Sequence, residues 1–240
     1  MILGLQTSHK SSTAILYFTR SADIESRRKS LIPNDHKRNR QVVKSLIDHT
    51  ERIISDSGLS YFLSDSDRTD LSFGEQLTQN IDHVFAQGYT NIIVLGNDCP
   101  TLSTADIHNA AEILSEGHDT YGRAADGGLY LIGLQQESYH RAIFEKLSWS
   151  SATLAEDLDQ YLSTYSREIH CVSPSVKADI DDHTDLMAFV ETASADLSLY
   201  RTIIRIIQIA TISIDTDRDD YTSIHLLAST LHRGPPQWAA

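Results

Sequence analysis

Three short clusters in this 240-residue chain hold the residue types that could do chemistry. The first is Gly96-Asn97-Asp98-Cys99-Pro100, which follows the β-branched run Asn91-Ile92-Ile93-Val94-Leu95. A carboxylate at the end of a buried strand stands where open α/β sheets gather their ligands. The second is Ala125-Asp126-Gly127-Gly128, directly ahead of the apolar run from Leu129 to Leu134. Paired glycines there would let backbone approach a ligand closely. The third is Asp179-Ile180-Asp181-Asp182-His183-Thr184-Asp185. Carboxylates gathered at one sheet edge would hold a hard cation such as Mg²⁺ or Mn²⁺, which takes oxygen ligands and completes its shell with phosphates. Each cluster also has a plainer reading. Asp98 suits an Asx turn, Asp126-Gly127-Gly128 an ordinary turn into a strand, and Asp182 or Thr184 a helix N-cap with Asp185 in the first turn.

Other chemistries lack their marks. No Walker loop, dinucleotide fingerprint, nucleophile elbow or HExxH spacing occurs. Among eleven histidines, His118, His140 and His170 read as solvated or satisfied. The acidic run Asp215–Asp220 lacks the central Gly and closing Glu of a calcium loop and reads as a solvated turn. Two distant cysteines, Cys99 and Cys171, exclude a disulfide scaffold and a Cys-rich zinc site. The net charge of −13 argues against a nucleic-acid backbone binder, though not against a nucleotide enzyme, since metal ions can supply positive charge locally. The N-terminus shows no secretory pattern, and the apolar stretch from Thr202 to Ile214 is too short and too polar to span a bilayer, so a cytoplasmic location is expected.

The elements that must position these clusters alternate. Strands are expected at Ala14–Thr19, Tyr61–Leu63, Asn91–Leu95, Leu129–Leu134 and Ile169–Val172. Helical spacing runs from Gln41 to Ser57, and Gly58 supplies a stop. Ser72-Phe73-Gly74-Glu75 reads as a capping box opening a helix that Gly88 ends. Further helices are expected from Ser103 to Gly117, Ala152 to Tyr165 and Thr184 to Val190. Residues Arg20–Arg40, polar and holding Pro33, read as a long loop. Strands alternating with helices imply an α/β, three-layer sandwich around a mostly parallel sheet. Residues 1–13 are expected to form a flexible arm, 14–195 the main domain and 196–240 a C-terminal extension.

In combination the clusters carry a resemblance. Gly74-Glu75, Gly88-Tyr89, the run from Ile93 to Pro100, Ala125 to Leu134, Phe144, Trp149-Ser150, and Asp179-Ile180-Asp181 with Asp185-Leu186 occur in order. That order resembles a bacterial family of glycosyltransferase-like, radical-SAM/selenoprotein-associated transferases, with the GT-A-like nucleotide-diphospho-sugar transferase fold. Guanylyltransferases are more distant relatives. The resemblance spans about Phe73 to Leu186. It implies Asp98 and Asp181 as metal-side carboxylates, and Asp126, Gly127 and Gly128 as lining the acceptor or sugar side of a cleft. It also implies Mg²⁺ or Mn²⁺, a nucleotide or nucleotide-sugar donor and a small-molecule acceptor.

The family's Pro-Gly-x-x-Lys-Thr-Arg-Leu phosphate loop is replaced here by Arg20-Ser21-Ala22-Asp23-Ile24-Glu25-Ser26-Arg27-Arg28-Lys29-Ser30-Leu31. Arg20 remains, and Arg28 or Lys29 would stand in as nucleotide-binding cations. Asp23 and Glu25 would face the phosphates and repel them, and the segment is expected to be mobile or displaced without ligand. No base or nucleophile stands out. The expected function is a metal-dependent transferase. The alternatives are a nucleotidyltransferase of the guanylyltransferase type and a non-catalytic binding domain. Asp98 and Asp181 are expected to meet at one sheet edge.

Overall fold

The computed structural model describes residues 12–64, 70–166, 168–173, 175–194 and 197–215. Residues 1–11 of the expected arm, and the extension beyond 215 with most of its acidic run, lie outside the described residues. Six strands form one sheet: β1 Thr13–Tyr17, β2 Ser60–Leu63, β3 Asn91–Leu95, β4 Asp119–Arg123, β5 Leu129–Gln135 and β6 Ile169–Cys171, in the order β2-β1-β3-β5-β4-β6. β1 pairs in parallel with β2 and β3, and β4 with β6. β5 alone runs antiparallel, to both of its neighbours.

Alternation of side chains along the central strands decides the layers. Ala14, Leu16, Ile92 and Val94 face one side, under α3 (Phe73–Ala86), α5 (Arg141–Phe144) and α6 (Leu154–Tyr165). Ile15, Tyr17, Ile93 and Leu95 face the other, under the C-terminal half of α2 (His36–Asp56) and under α4 (Thr104–Ser115). Helices thus cover both faces, as strands buried on both sides require. The N-terminal half of α2 has a second apolar surface. Val42, Val43 and Leu46 pack there against α7 (His183–Thr192) and α8 (Ser198–Asp215) through Leu186, Phe189, Leu199 and Ile203. The expected capping box forms at Ser72–Glu75, two more form at Ser103–Asp106 and Asp182–Asp185, and Asp182 rather than Thr184 is the cap of α7.

Two expectations are corrected. Residues 20–40 are not a loop: Ala22–Arg28 forms α1, and α2 begins at His36, five residues ahead of the expected start. β4 was not foreseen. Its Gly122 lies under the Tyr130 ring, where an added Cβ would come within 2.2 Å of the ring.

α1 has few apolar residues of its own, and a tertiary clip holds it. Buried Asn39 of α2 donates through Nδ2 to the carbonyl oxygens of Ser26 (2.6 Å) and Lys29 (2.7 Å). Its Oδ1 accepts from the backbone N–H groups of Leu31 (2.7 Å) and Ile32 (3.0 Å). One side chain therefore satisfies four backbone groups where the chain leaves α1. Asn39→Asp keeps the acceptor but sets a carboxylate against two carbonyls. Urea denaturation should show a loss of about 3 kcal/mol, because two carbonyl acceptors lose their donor and face a negative charge instead. A loss below about 0.5 kcal/mol, the range of surface changes, would mean the clip is not what holds α1.

Candidate functional site

The site forms at the carboxyl ends of β1 and β3. After β6 the chain runs extended along the end of β4 and across to the β3 loop. Lys177 N–H donates to Arg123 O, Ala125 N–H to Lys177 O, and Ile180 N–H to Asp98 O (2.9 Å). Ile180 is fully buried against the α2–α7–α8 core. Side chains alternate along extended backbone, so burying Ile180 turns Asp179 and Asp181 to the opposite side, where both line a cleft with Asp98 and Asp126. Asp98 and Asp181 do meet at one edge.

What joins them is Lys29, just past the end of α1. Its ammonium lies 3.2 Å from Asp98 Oδ2 and 2.6 Å from Asp181 Oδ1, and donates to the Ile180 carbonyl at 3.1 Å. The Lys29 side chain is only 11% exposed. Burial works against its charge, but Asp98 and Asp181 outweigh that and hold its pKa above the ordinary lysine value.

Asp179 has no such partner. Its Oδ1 is buried without a hydrogen bond. Burial first, then the charges of Asp98, Asp126 and Asp181, push its pKa up to about 8, against a smaller opposing pull from Lys29. The cleft thus gathers more carboxylates than its own cations balance. Arg20 also lines it but lies 3.8 Å from Glu25, the buried carboxylate of α1. The donor set is all oxygen and includes an orphaned buried atom, which suits a hard divalent cation.

The cleft has a volume of about 490 Å³, within the range of small-molecule sites. Its other wall is aromatic. Phe73 of α3 stands edge-on to Phe18 (centroids 5.1 Å apart) and tilted against Trp149 (5.5 Å). Gly74 permits this approach, since a Cβ there would meet Glu145 O at 2.1 Å and Trp149 Cδ1 at 2.9 Å. Ser150, next to Trp149 on the cleft, is left-handed at φ 64°, a conformation that costs a non-glycine residue energy and marks a constrained loop.

Of the expected site residues, Asp98, Asp181, Lys29, Asp126, Gly128 and Arg20 come together at this edge. Arg28 does not line the cleft; it is exposed on α1. Gly127 serves packing: at φ 90° its missing Cβ would sit 2.1 Å from Ala152 O. Asp126 Oδ1 accepts from Gly128 N–H at 2.8 Å, the Asx turn of the plainer reading, while still lining the cleft. The expected repulsion from Asp23 does not arise, because Asp23 is exposed and paired with Arg40 at 2.5 Å. Glu25 does face the cleft. Asp179 and Trp149 were named among the motifs but given no role in a site, and Phe18 and Phe73 were read only as parts of a strand and a helix. The alternation Asp-Ile-Asp was the available signal for Asp179.

Comparison with known proteins places the fold. A family profile described as "Uncharacterized protein conserved in bacteria (DUF2064)" matches residues 55–151. No curated protein matches the sequence. A protein from Desulfovibrio desulfuricans, provisionally described as a nucleotide-diphospho-sugar transferase, superposes with a TM-score of 0.65 at 17% identity, covering 82% of this chain and 98% of its own. Rv0371c from Mycobacterium tuberculosis gives a TM-score of 0.45 at 13% identity, covering 75% of this chain and 97% of its own. A cytidylyltransferase from Leptospira borgpetersenii gives 0.41 at 14%, covering 88% and 99%. The architecture is that of a nucleotide-diphospho-sugar transferase fold. Among the described residues no helix is long and apolar enough to cross a membrane.

The Asp179 environment has a pH signature. Folded, its carboxyl keeps a proton up to about pH 8, whereas the unfolded chain releases it near ~3.9. Folding therefore takes up a proton across that window, and the stability linked to Asp179 falls as pH rises from about 4 to about 8. Asp179→Asn should flatten that part of the stability profile, by on the order of 1 kcal/mol per pH unit. Urea titrations of both proteins in chelator-treated buffer check it. Parallel profiles would mean the carboxyl titrates normally.

Proposed function

We propose that the chain is a metal-dependent transferase that uses a nucleotide or nucleotide-sugar donor. The observation that carries the reading is the convergence of Asp98, Asp179 and Asp181 on one cleft, at the ligand edge of a nucleotide-diphospho-sugar transferase fold. Asp98 and Asp181, with Asp179 beside them, would hold Mg²⁺ or Mn²⁺. The ion, when bound, supplies positive charge to the donor's phosphates and to the leaving group.

The chain's own residues do the rest. Lys29 offsets part of the charge of Asp98 and Asp181 in the absence of donor, and its ammonium would turn to a phosphate oxygen when one is bound. Arg20 offers a second cation at the mouth, steered by Glu25. Phe73 and Trp149 offer apolar faces for a base or sugar ring. Asp126 and Gly128 lie on the acceptor or sugar side of this reading. Residues 14–195 would hold the catalytic unit, with 196–240 as its extension. The GT-A assignment and the radical-SAM/selenoprotein-associated subtype rest on the motif order from Gly74 to Leu186. Two free cysteines suit a reduced cytoplasm.

One observation favours a second reading, a non-catalytic binding domain: Lys29 already occupies both metal-side carboxylates. A thermal-shift panel of nucleotides and nucleotide sugars, with and without Mn²⁺, separates the two. The transferase reading expects stabilisation only when donor and Mn²⁺ are both present, about 2.7 kcal/mol at 100 times the dissociation constant. Asp98→Asn should weaken donor binding at least tenfold by calorimetry while the ligand-free protein stays folded. Metal-independent binding that survives Asp98→Asn would favour the binding domain. Product analysis then tells the two transfers apart. Pyrophosphate release from a nucleoside triphosphate marks nucleotidyl transfer, and nucleoside diphosphate release from a nucleotide sugar marks glycosyl transfer.

A further inference from the structure

At the opposite edge of the sheet, three side chains converge that the cleft does not use. His118 sits between Gly117 and β4, Glu168 just ahead of β6, and His170 on β6. β4 and β6 are parallel, with Asp119 beside Ile169 and Thr120 beside His170. His118 therefore stands next to Glu168, and residues 118, 168 and 170 all belong to the same face of the sheet, the one under α4. Both chains of the pair start here, so the cluster lies at the amino edge, across the sheet from Asp98 and Asp181.

The geometry is specific. His170 Nε2 lies 3.4 Å from Glu168 Oε1, and His118 Nδ1 lies 3.8 Å from Glu168 Oε2. The two imidazole rings stand 4.8 Å apart at 52°. One atom from each of the three residues falls within 4.8 Å of the others. These separations are long for N–H···O hydrogen bonds. The 3.4 Å pair matches the spacing of ligands around a tetrahedral ion, where donors about 2.1 Å from the centre stand about 3.4 Å apart, and the other separations are wider.

The polar accounting points the same way. His118 Nδ1 and His170 Nε2 are both buried atoms without a hydrogen-bond partner. Buried polar atoms are nearly always satisfied, and leaving one orphaned costs about 1–3 kcal/mol. Here two orphans face one another and a carboxylate. Among the described residues no lysine or arginine pairs with this cluster.

The backbone on each side is held. Gly117, left-handed at φ 93°, turns the chain out of α4, and His118 N–H bonds the Ile113 carbonyl at 3.2 Å. Thr120 Oγ1 donates to the His170 carbonyl at 2.6 Å. Glu168 is 61% exposed, which leaves a route for an ion and a coordination position for water.

We infer that His118, Glu168 and His170 form a second metal site, for a borderline divalent ion of the Zn²⁺ class. Two imidazole nitrogens and one carboxylate match the ligand types that zinc takes, with an open fourth position, and disfavour Mg²⁺, which prefers oxygen alone.

The test uses the full chain without a histidine tag, stripped with chelator and titrated with Zn²⁺ alone by calorimetry. The expected result is one equivalent bound, weakened at least tenfold in His170→Ala and in His118→Gln, retained in Asp98→Asn, and not displaced by millimolar Mg²⁺. Co²⁺ in place of Zn²⁺ should give the visible absorption of a low-symmetry site in the wild type and lose it in His170→Ala. Should His118→Gln fail to fold, His170→Ala on the edge strand keeps the test open, with circular dichroism as its control. The proposal is overturned if the wild type binds no Zn²⁺. It is equally overturned if Zn²⁺ binding survives His170→Ala or is lost with Asp98→Asn. Because the probe is Zn²⁺ without nucleotide, either outcome leaves the transferase reading to its own experiment.

Discussion

The ammonium of Lys29, shared by Asp98 and Asp181, ties three distant stretches of chain to one point. A charge held away from water must be paired. The pairing therefore constrains where α1 ends, how the β3 loop turns and where the segment after β6 lies. The backbone bond from Ile180 to Asp98 and the Asn39 clip are fixed to the same point from two other sides. Removing one member of such a group leaves the others uncompensated, and that is costlier than never having built it. Lys29 is thus structural in the ligand-free protein, whatever it does with a donor bound. The same dependence explains why α1 persists with so little apolar surface of its own.

Topology supplies the rest of the site. In a purely parallel sheet, residues preceding a strand lie at the amino edge, away from ligands. β5 is reversed between β3 and β4. Its leading segment Asp126-Gly127-Gly128 therefore arrives at the carboxyl edge, beside the residues that follow β3. The route onward is tight. Gly127 passes against the Ala152 carbonyl, and the chain then lays Trp149 to Ala152 along the cleft rim. One antiparallel strand thus brings an entire side of the pocket into register with the acidic side.

How far the sequence was legible follows from how local each signal is. β1 and β3 were visible because five consecutive buried residues leave an apolar run that no loop carries. The capping box at Ser72 and the helix start at Ser103 were visible because each signal is completed within four residues. α1 was not, since Asp23, Glu25, Arg27 and Arg28 give it the profile of a loop, and its anchor, Asn39, lies on another helix. β4 was hidden for a related reason: Asp119-Thr120-Tyr121-Gly122-Arg123 is polar in composition yet buried, with Asp119 satisfied by Gln135 N–H and the Ser138 hydroxyl. In the site, the strand-end rule found Asp98 and, through the acidic run, Asp181. The family resemblance assigned Lys29 to phosphates, because sequence does not show which carboxylates a lysine meets. His118 and His170 read as solvated because their juxtaposition depends on the β4–β6 pairing, and β4 itself was unseen.

The two edges of the sheet differ in donor chemistry, and that difference is what would keep their ions apart. The carboxyl edge offers oxygen only, and burial first, then the charges of Asp98, Asp126 and Asp181, raise the Asp179 pKa to about 8. Such a site gains most from a hard divalent ion, whose charge answers several carboxylates and still attracts phosphate. The amino edge offers two imidazole nitrogens with one carboxylate, a set that borderline ions hold more tightly than hard ones. Lys29 sharpens the contrast. A bound cation at the carboxyl edge must compete with an ammonium already in contact with both carboxylates, so weak binders are rejected unless a phosphate draws the ammonium away. Among the described residues no lysine or arginine pairs with the histidine cluster. On this argument the proposed ion of the acidic cleft would bind only together with a donor, while that of the histidine cluster would bind on its own.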